Sequence, residues 1–256
     1  MKHIIKTGLL FIAVLLLNSC SNDNPASDPK ENLPEWDKSQ TASLCFVSKL
    51  NGEALLTKEA DEETIYTQLR TGSFQAILLD RCDVSYSGTP VYNPAVALAK
   101  KLNCVPVFAR NQWNGTVCEG RGILLPHTLS RQDETEMAPG CYSKTVQAFL
   151  TSSRKEPMEL TTVSFQSEAQ VQKAGSPLLK HIRQGGIIVG TIKKELLPQL
   201  ETWVKENGTL RLEVIESASS YRLFVLGSQR WVVRDSETKP SGSIQYIHLQ
   251  IERLKK

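Results

Sequence analysis

Gln184 to Lys194 reads QGGIIVGTIKK, and it limits the fold more than any other stretch. A glycine pair stops a helix, three β-branched residues make a short buried strand, and Gly190 opens a tight exit into Thr191-Ile192-Lys193. Runs of this kind are inner strands of a sheet, and in open α/β folds the C-terminal edge of such a sheet carries chemistry. Here that edge offers a hydroxyl, an isoleucine and a lysine, with no carboxylate and no amide. The expectation is an α/β frame with unreactive side chains at its reactive edge.

The rest of the chain alternates in the same way. Leu44 to Val47 and Phe74 to Leu79 read as strands, separated by a helix over Asp61 to Arg70 that has acidic residues in its first turn and Gly72 as its stop. Asn93-Pro94 caps and opens a helix to about Leu102. Val105 to Ala109 and Gly122 to Leu125 are strands on either side of a polar loop that holds Trp113. Val146 to Leu150 and Glu159 to Phe165 read as a β pair, and Ser130 to Glu134 as a charged, solvated loop. Ser167 caps a helix that Gly175 and Pro177 should kink or split. Leu196 to Val204 mark a helix ending at Gly208, and the remainder is strand, from Leu210 to Ile251. Helices between only some of the strands predict an α/β class of mixed sheets packed together, with helices outside.

Lys2 and Lys6 precede an apolar run from Gly8 to Leu17, followed by Asn18-Ser19-Cys20. That is a secretory signal over residues 1–19, too short to span a membrane. Its L-N-S-C end resembles a bacterial lipoprotein signal, in which Cys20 is acylated and binds the chain to a lipid membrane in the cell envelope. Residues 20–43 are polar and aperiodic and read as a tether. Residues 44–256 then suit one domain with a single large core. Loss of Lys2 and Lys6 with the leader takes the formal charge from +3 to +1, which gives no electrostatic reason to expect nucleic acid.

Five further cysteines are an odd number, so at least one thiol is unpaired. Cys45, Cys82 and Cys104 lie in or beside apolar strands and read as small buried hydrophobes. Cys118 and Cys141 lie in Gly-rich loops and are the pair expected to bridge. No CxxC, HExxH, G-x-S-x-G, Walker loop or G-x-G-x-x-G occurs, so neither a structural zinc site, a cofactor nor a standard nucleophile is expected.

The order and spacing of these segments resemble the endonuclease/exonuclease/phosphatase superfamily over nearly the whole of residues 44–256. The resemblance implies a four-layer α/β sandwich, two mixed β-sheets face to face with helices on the outside. In that family a strand ending in Gln-Glu supplies a metal-binding glutamate; the matching stretch here is Ala76 to Arg81, with Arg81 at the glutamate's place. The family's Thr-His-Leu strand end falls near Ser164-Phe165-Gln166, with Phe165 for the histidine. Its Gly-Asp-x-Asn falls on Gly190-Thr191-Ile192-Lys193, and its Ser-Asp-His on Ser243-Ile244-Gln245. An early asparagine falls near Ser48 or Lys49. The spacing is kept and the functional letters are lost.

The family mechanism needs carboxylate oxygens for a divalent metal and an Asp-His pair to activate water. Arg81 and Lys193 bring positive charge instead, so no catalytic residue and no bound metal are expected. Three functions stay open at this point. The first is a non-catalytic lipoprotein whose former active-site groove, with Arg81, Thr191, Lys193 and Gln245, takes an anionic ligand or partner. The second is a metal-dependent phosphodiesterase or phosphatase with displaced groups, drawing on Asp80, Asp83, Glu119 and His127. The third is a purely structural lipoprotein.

Overall fold

The computed structural model describes residues 41–254, apart from 51–52, 56–58, 87–90, 127–128, 139–140, 149–157 and 216–219. The elements run β1 (Thr41–Lys49), α1 (Glu59–Leu69), β2 (Ala76–Leu79), β3 (Val84–Ser85), α2 (Pro94–Leu102), β4 (Val105–Asn114) and β5 (Val117–Leu125). They continue with β6 (Leu129–Ala138), β7 (Cys141–Ala148), β8 (Met158–Phe165), α3 (Glu168–Arg183), β9 (Ile187–Lys193) and α4 (Leu197–Glu206). Four strands close the chain: β10 (Leu210–Ile215), β11 (Tyr221–Ser228), β12 (Trp231–Ser241) and β13 (Ile244–Arg253).

One sheet has the order β12-β13-β1-β2-β5-β3, with β4 also paired to β5; the other has the order β10-β11-β9-β8-β7-β6. Each contains one parallel pair, β1 with β2 and β8 with β9, and in each case a helix makes the crossover that parallel strands require. Both sheets are therefore mixed. Three apolar layers hold them. Ala42, Leu44, Phe46, Leu78, Ile123 and Ile247 of the first sheet meet Leu160, Ile187, Val189, Leu223 and Val225 of the second. On the outer face of the first sheet, Cys45, Val47, Ile77 and Leu79 pack under Ile65 and Leu69 of α1 and Leu98 of α2. On the outer face of the second, Val163, Phe165, Ile188 and Phe224 pack under Leu178 and Ile182 of α3 and Leu200 of α4. The result is the four-layer sandwich, helices outside.

The expected caps form where their chemistry requires. Asn93 accepts from the Val96 amide at 3.2 Å, Pro94 takes the first turn, and Asn103 ends α2 in the left-handed region at φ 54°. Gln170 Oε1 accepts from the Ser167 amide at 3.2 Å, one half of a capping box.

Five expectations need correction. Gly190 opens no exit: β9 runs through it from Ile187 to Lys193. Gly175 and Pro177 do not split α3, which runs unbroken from Glu168 to Arg183. Proline frees the carbonyl four residues earlier, and that is Lys173, on the exposed face where water can reach it. Gly175 lies against α4, where a Cβ would come within 2.7 Å of Trp203 Nε1. The charged segment from Ser130 to Glu134 belongs to β6, which pairs with β7. As the outer strand of its sheet it carries charge that discourages pairing with a further chain. The polar stretch around Trp113 is likewise strand: Asn114 pairs with Val117 and closes β4 onto β5 through Gly115, at φ +60°. Finally, Cys118 is a free, buried thiol. It sits on β5 of the first sheet, whereas Cys141 begins β7 of the second, with its side chain outside the described residues.

Candidate functional site

Strand alternation builds the site. On the faces that meet between the sheets, seven strands change from apolar to polar towards the same end of the sandwich. In β1 the inward series Ala42, Leu44, Phe46 arrives at Ser48, and in β2 Ala76 and Leu78 arrive at Asp80. In β13 Ile251, Leu249 and Ile247 arrive at Gln245; in β5 Leu125 and Ile123 arrive at Arg121 and then Glu119. The second sheet does the same: Met158 and Leu160 lead to Thr162 and Ser164, Ile187 and Val189 to Thr191 and Lys193, Val225 and Leu223 to Tyr221. Both parallel pairs point their C-terminal ends at this polar layer, the position where α/β sheets hold ligands.

The layer is tied across the gap. Arg121, 3% exposed, leaves β5 and donates from Nη2 to the Tyr142 carbonyl of β7 at 3.0 Å. Thr191 Oγ1 donates to Ser164 Oγ at 3.0 Å within the second sheet. Asp80 is buried, and burial raises its pKa, opposed by the nearby Arg121 and Arg81 guanidinium groups. Tyr221 is raised as well, by burial first, and it feels Arg81, Asp80, Glu195 and Glu119, so the N-terminal end of β11 faces the end of β2.

Two positions taken from letter order shift by one residue. Arg81 does not continue β2: its φ of 48° puts it in the left-handed region, and its side chain turns to Asp83, Nη2 to Oδ2 at 3.2 Å. A non-glycine residue there costs roughly 1–2 kcal/mol. The inward side chain at the end of β2 is Asp80, so a carboxylate, one carbon shorter, holds the place where the resemblance implies glutamate. At the end of β8, Phe165 faces outward and stacks on Phe224, centroids 5.8 Å apart at 3°. The inward partner of Thr191 is Ser164.

Of the other expected site residues, Thr191 and Lys193 lie on the inward face of β9, and Lys193 Nζ is 4.0 Å from Glu195. Gln245 is buried on β13 opposite Ser48. Asp83 is occupied structurally: besides Arg81 it accepts from the Gly120 amide at 3.2 Å, and burial raises its pKa. Cys20 and His127 lie outside the described residues. Arg121, Ser164 and Tyr221 were missed, and counting in twos from the apolar residues of β8 and β11 would have found the last two.

A divalent cation of the kind the resemblance implies does not fit this layer. The charged group beside Asp80 is the guanidinium of Arg121, and among the described residues no three His, Cys, Asp or Glu side chains group as a metal needs. A second polar cluster, under α3, is closed: Thr145 Oγ1 lies 2.8 Å from Thr161 Oγ1 and 3.4 Å from His181 Nε2, and all three residues are buried. It fastens the helix to its sheet.

Asp80 gives the site a measurable signature. Its folded carboxyl keeps its proton to higher pH than the ordinary 3.8, so the folded state binds more protons in that window. Stability is then lost as pH rises through it, and the ionised form is a burden at pH 7. Asp80→Asn is expected to raise the urea midpoint at pH 7, with the gain shrinking towards pH 4. A variant less stable than the parent at pH 7 would mean that the arginines outweigh burial.

No family model and no curated protein matches the sequence. Solved structures do. An endonuclease/exonuclease/phosphatase from Beutenbergia cavernae DSM 12333 superposes with a TM-score of 0.60 at 9% identity, over 84% of this chain and 72% of that one. An endonuclease/exonuclease/phosphatase family protein from Leptotrichia buccalis C-1013-b gives 0.62 at 9%, over 82% and 99%. D. rerio TDP2 complexed with single strand DNA product gives 0.52 at 11%, over 83% and 99%. Two mixed sheets with their parallel pairs ending in one polar layer, helices on both outer faces, and these neighbours together establish that the chain has the endonuclease/exonuclease/phosphatase fold.

Proposed function

We propose that the domain is non-catalytic and binds an anionic ligand or partner at the polar layer, held at a membrane of the cell envelope through acylated Cys20. The observation that carries this reading is the set of side chains at the inward strand ends: Ser48, Asp80, Glu119, Arg121, Gln245, Ser164, Thr191, Lys193 and Tyr221. Among the described residues they offer hydroxyls, an amide, cations and two carboxylates, with no imidazole to activate water and with the buried carboxylate of Asp80 set against a guanidinium. Among the described residues no helix is long and apolar enough to cross a membrane, so attachment rests on the signal and on Cys20.

A second reading, a metal-dependent phosphoester hydrolase, is favoured by one observation: Asp80 faces the layer from the strand end where the resemblance implies a metal-binding glutamate.

One experiment separates the two. The full chain is tested for hydrolysis of bis-p-nitrophenyl phosphate with Mg²⁺ or Mn²⁺, and for thermal shift with each metal and with inorganic phosphate. A ligand of the native state raises its stability by RT ln(1 + [L]/Kd). The expected result is a shift with phosphate that Lys193→Glu abolishes, none with either metal, and no metal-dependent rate. A metal-dependent rate that falls in Asp80→Asn would establish the hydrolase instead. Cys20→Ala is expected to release the chain from membranes, and unchanged retention would remove the anchor from the proposal.

A further inference from the structure

Two oxygens at the floor of the polar layer are left without partners. Asp80 Oδ1 and Gln245 Oε1 are both buried, and neither has a hydrogen-bond partner among the described residues. The same carboxylate accepts from the Arg81 amide and feels the Arg121 and Arg81 guanidinium groups, which oppose a doubly charged ion here while Oδ1 keeps a place for one singly charged donor. Buried acceptors of this kind go unsatisfied at a cost of about 1–3 kcal/mol each, more when charged, so each calls for a donor that the fold does not supply.

The register places the two acceptors around one seat. Ser48 pairs with Gln245 across β1 and β13, and the Asp80 amide donates to the Val47 carbonyl at 2.9 Å, so Asp80 lies beside Ser48 on β2. Three adjacent strands spaced about 4.8 Å apart put the Asp80 and Gln245 Cα atoms roughly 10 Å from each other. Between them stands Ser48, whose short side chain cannot fill that width. A carboxylate oxygen, an amide oxygen and a hydroxyl oxygen then border one gap, and all three can accept. An ammonium group presents three donors and a positive charge to such a set. Facing the seat across a sheet separation of about 10 Å are Thr191, Ser164 and Lys193, the groups suited to an anion.

We propose that Ser48, Asp80 and Gln245 seat a primary ammonium group, so that the ligand of this layer is a small soluble zwitterion with an ammonium at one end and an anionic group at the other. The inference rests on the anion-binding reading and adds the second half of the ligand. It commits to a small molecule because the seat lies between the sheets.

Calorimetry on the full chain with three probes tests it: inorganic phosphate, ethanolamine and O-phosphoethanolamine. One charge-assisted contact in a buried site is expected to make O-phosphoethanolamine bind at least about tenfold more tightly than phosphate. Asp80→Asn should erase that margin without weakening phosphate. This variant removes a buried charge and keeps the side-chain shape, so it is expected to fold. Gln245→Glu should widen the margin by adding a second negative charge at the seat. Lys193→Ala should weaken phosphate and O-phosphoethanolamine alike. Equal affinity for the two phosphates in the parent chain, or a margin that Asp80→Asn leaves intact, would overturn the ammonium seat and leave the anion reading standing. Failure of both phosphates to bind would overturn the anion reading itself. Binding of ethanolamine alone, lost in Asp80→Asn, would keep the seat and overturn the zwitterion.

Discussion

Arg121→Ala is expected to cost the domain about 3–5 kcal/mol, a large share of a stability that in globular domains is about 5–15 kcal/mol. Arg121 is 3% exposed and reaches from β5 to the Tyr142 carbonyl on the opposite sheet. It also lies close enough to Asp80 to oppose the effect of burial on that carboxyl. Alanine removes a tie between the sheets, opens a hole between them and leaves Asp80 with less compensation for its desolvation. Urea unfolding should show a lower midpoint with little change in slope. The loss should be smaller when the same change is made in an Asp80→Asn chain, because part of it comes from the exposed conflict of that carboxylate. A midpoint within experimental error of the parent would show that the guanidinium does not hold the two sheets at this end.

Gly190→Val is expected to be of comparable size, about 3 kcal/mol, by crowding rather than by loss. Gly190 lies on the outward face of β9, under α3 and α4. A Cβ there would come within 2.5 Å of the Val163 carbonyl oxygen and 2.9 Å of the Phe224 ring. The first contact is with backbone in the neighbouring parallel strand, so it cannot be relieved by rotating a side chain. The second disturbs the stacked Phe165–Phe224 pair that fills the layer between sheet and helices. Gly208→Ala makes a control, because a Cβ at Gly208 meets nothing within 4 Å. A Gly190→Val chain with the parent's urea midpoint would show that β9 and β8 separate at little cost.

These two residues also show how far the sequence could be read. Gly190 was half legible: it reads as a tight exit from the strand, whereas β9 runs through it and the glycine marks the close approach of the neighbouring strand and ring. The caps at Asn93 and Ser167 and mixed sheets with helices outside were legible because period and punctuation are local, whereas the four-layer order came from the resemblance. Arg121 was not. Its neighbours in sequence are glycines, and nothing within β5 tells that the opposite sheet ends in polar side chains at the same level. Segment order, through the resemblance, pointed to the strand ends that form the polar layer, while the identities at two of them slipped by one. Matching letters treats Asp80 and Arg81, or Ser164 and Phe165, as adjacent alternatives. A sheet sends them to opposite faces, so a slip of one exchanges a groove residue for a core residue. The hairpins β4–β5 and β6–β7 escaped because outer strands carry polar and charged side chains that elsewhere mark loops.

The direction of β1 has a practical bearing on orientation. The strand enters the sandwich at Thr41 and, nine residues long, reaches the polar layer at Ser48 and Lys49. At about 3.3 Å per residue the two ends stand about 26 Å apart. Anything joined ahead of Thr41 therefore meets the domain at the pole opposite its polar layer. The same polarity serves in the laboratory: a chain captured on a sensor surface through its N-terminal end displays the polar layer outward, whereas capture through lysines would present it at random.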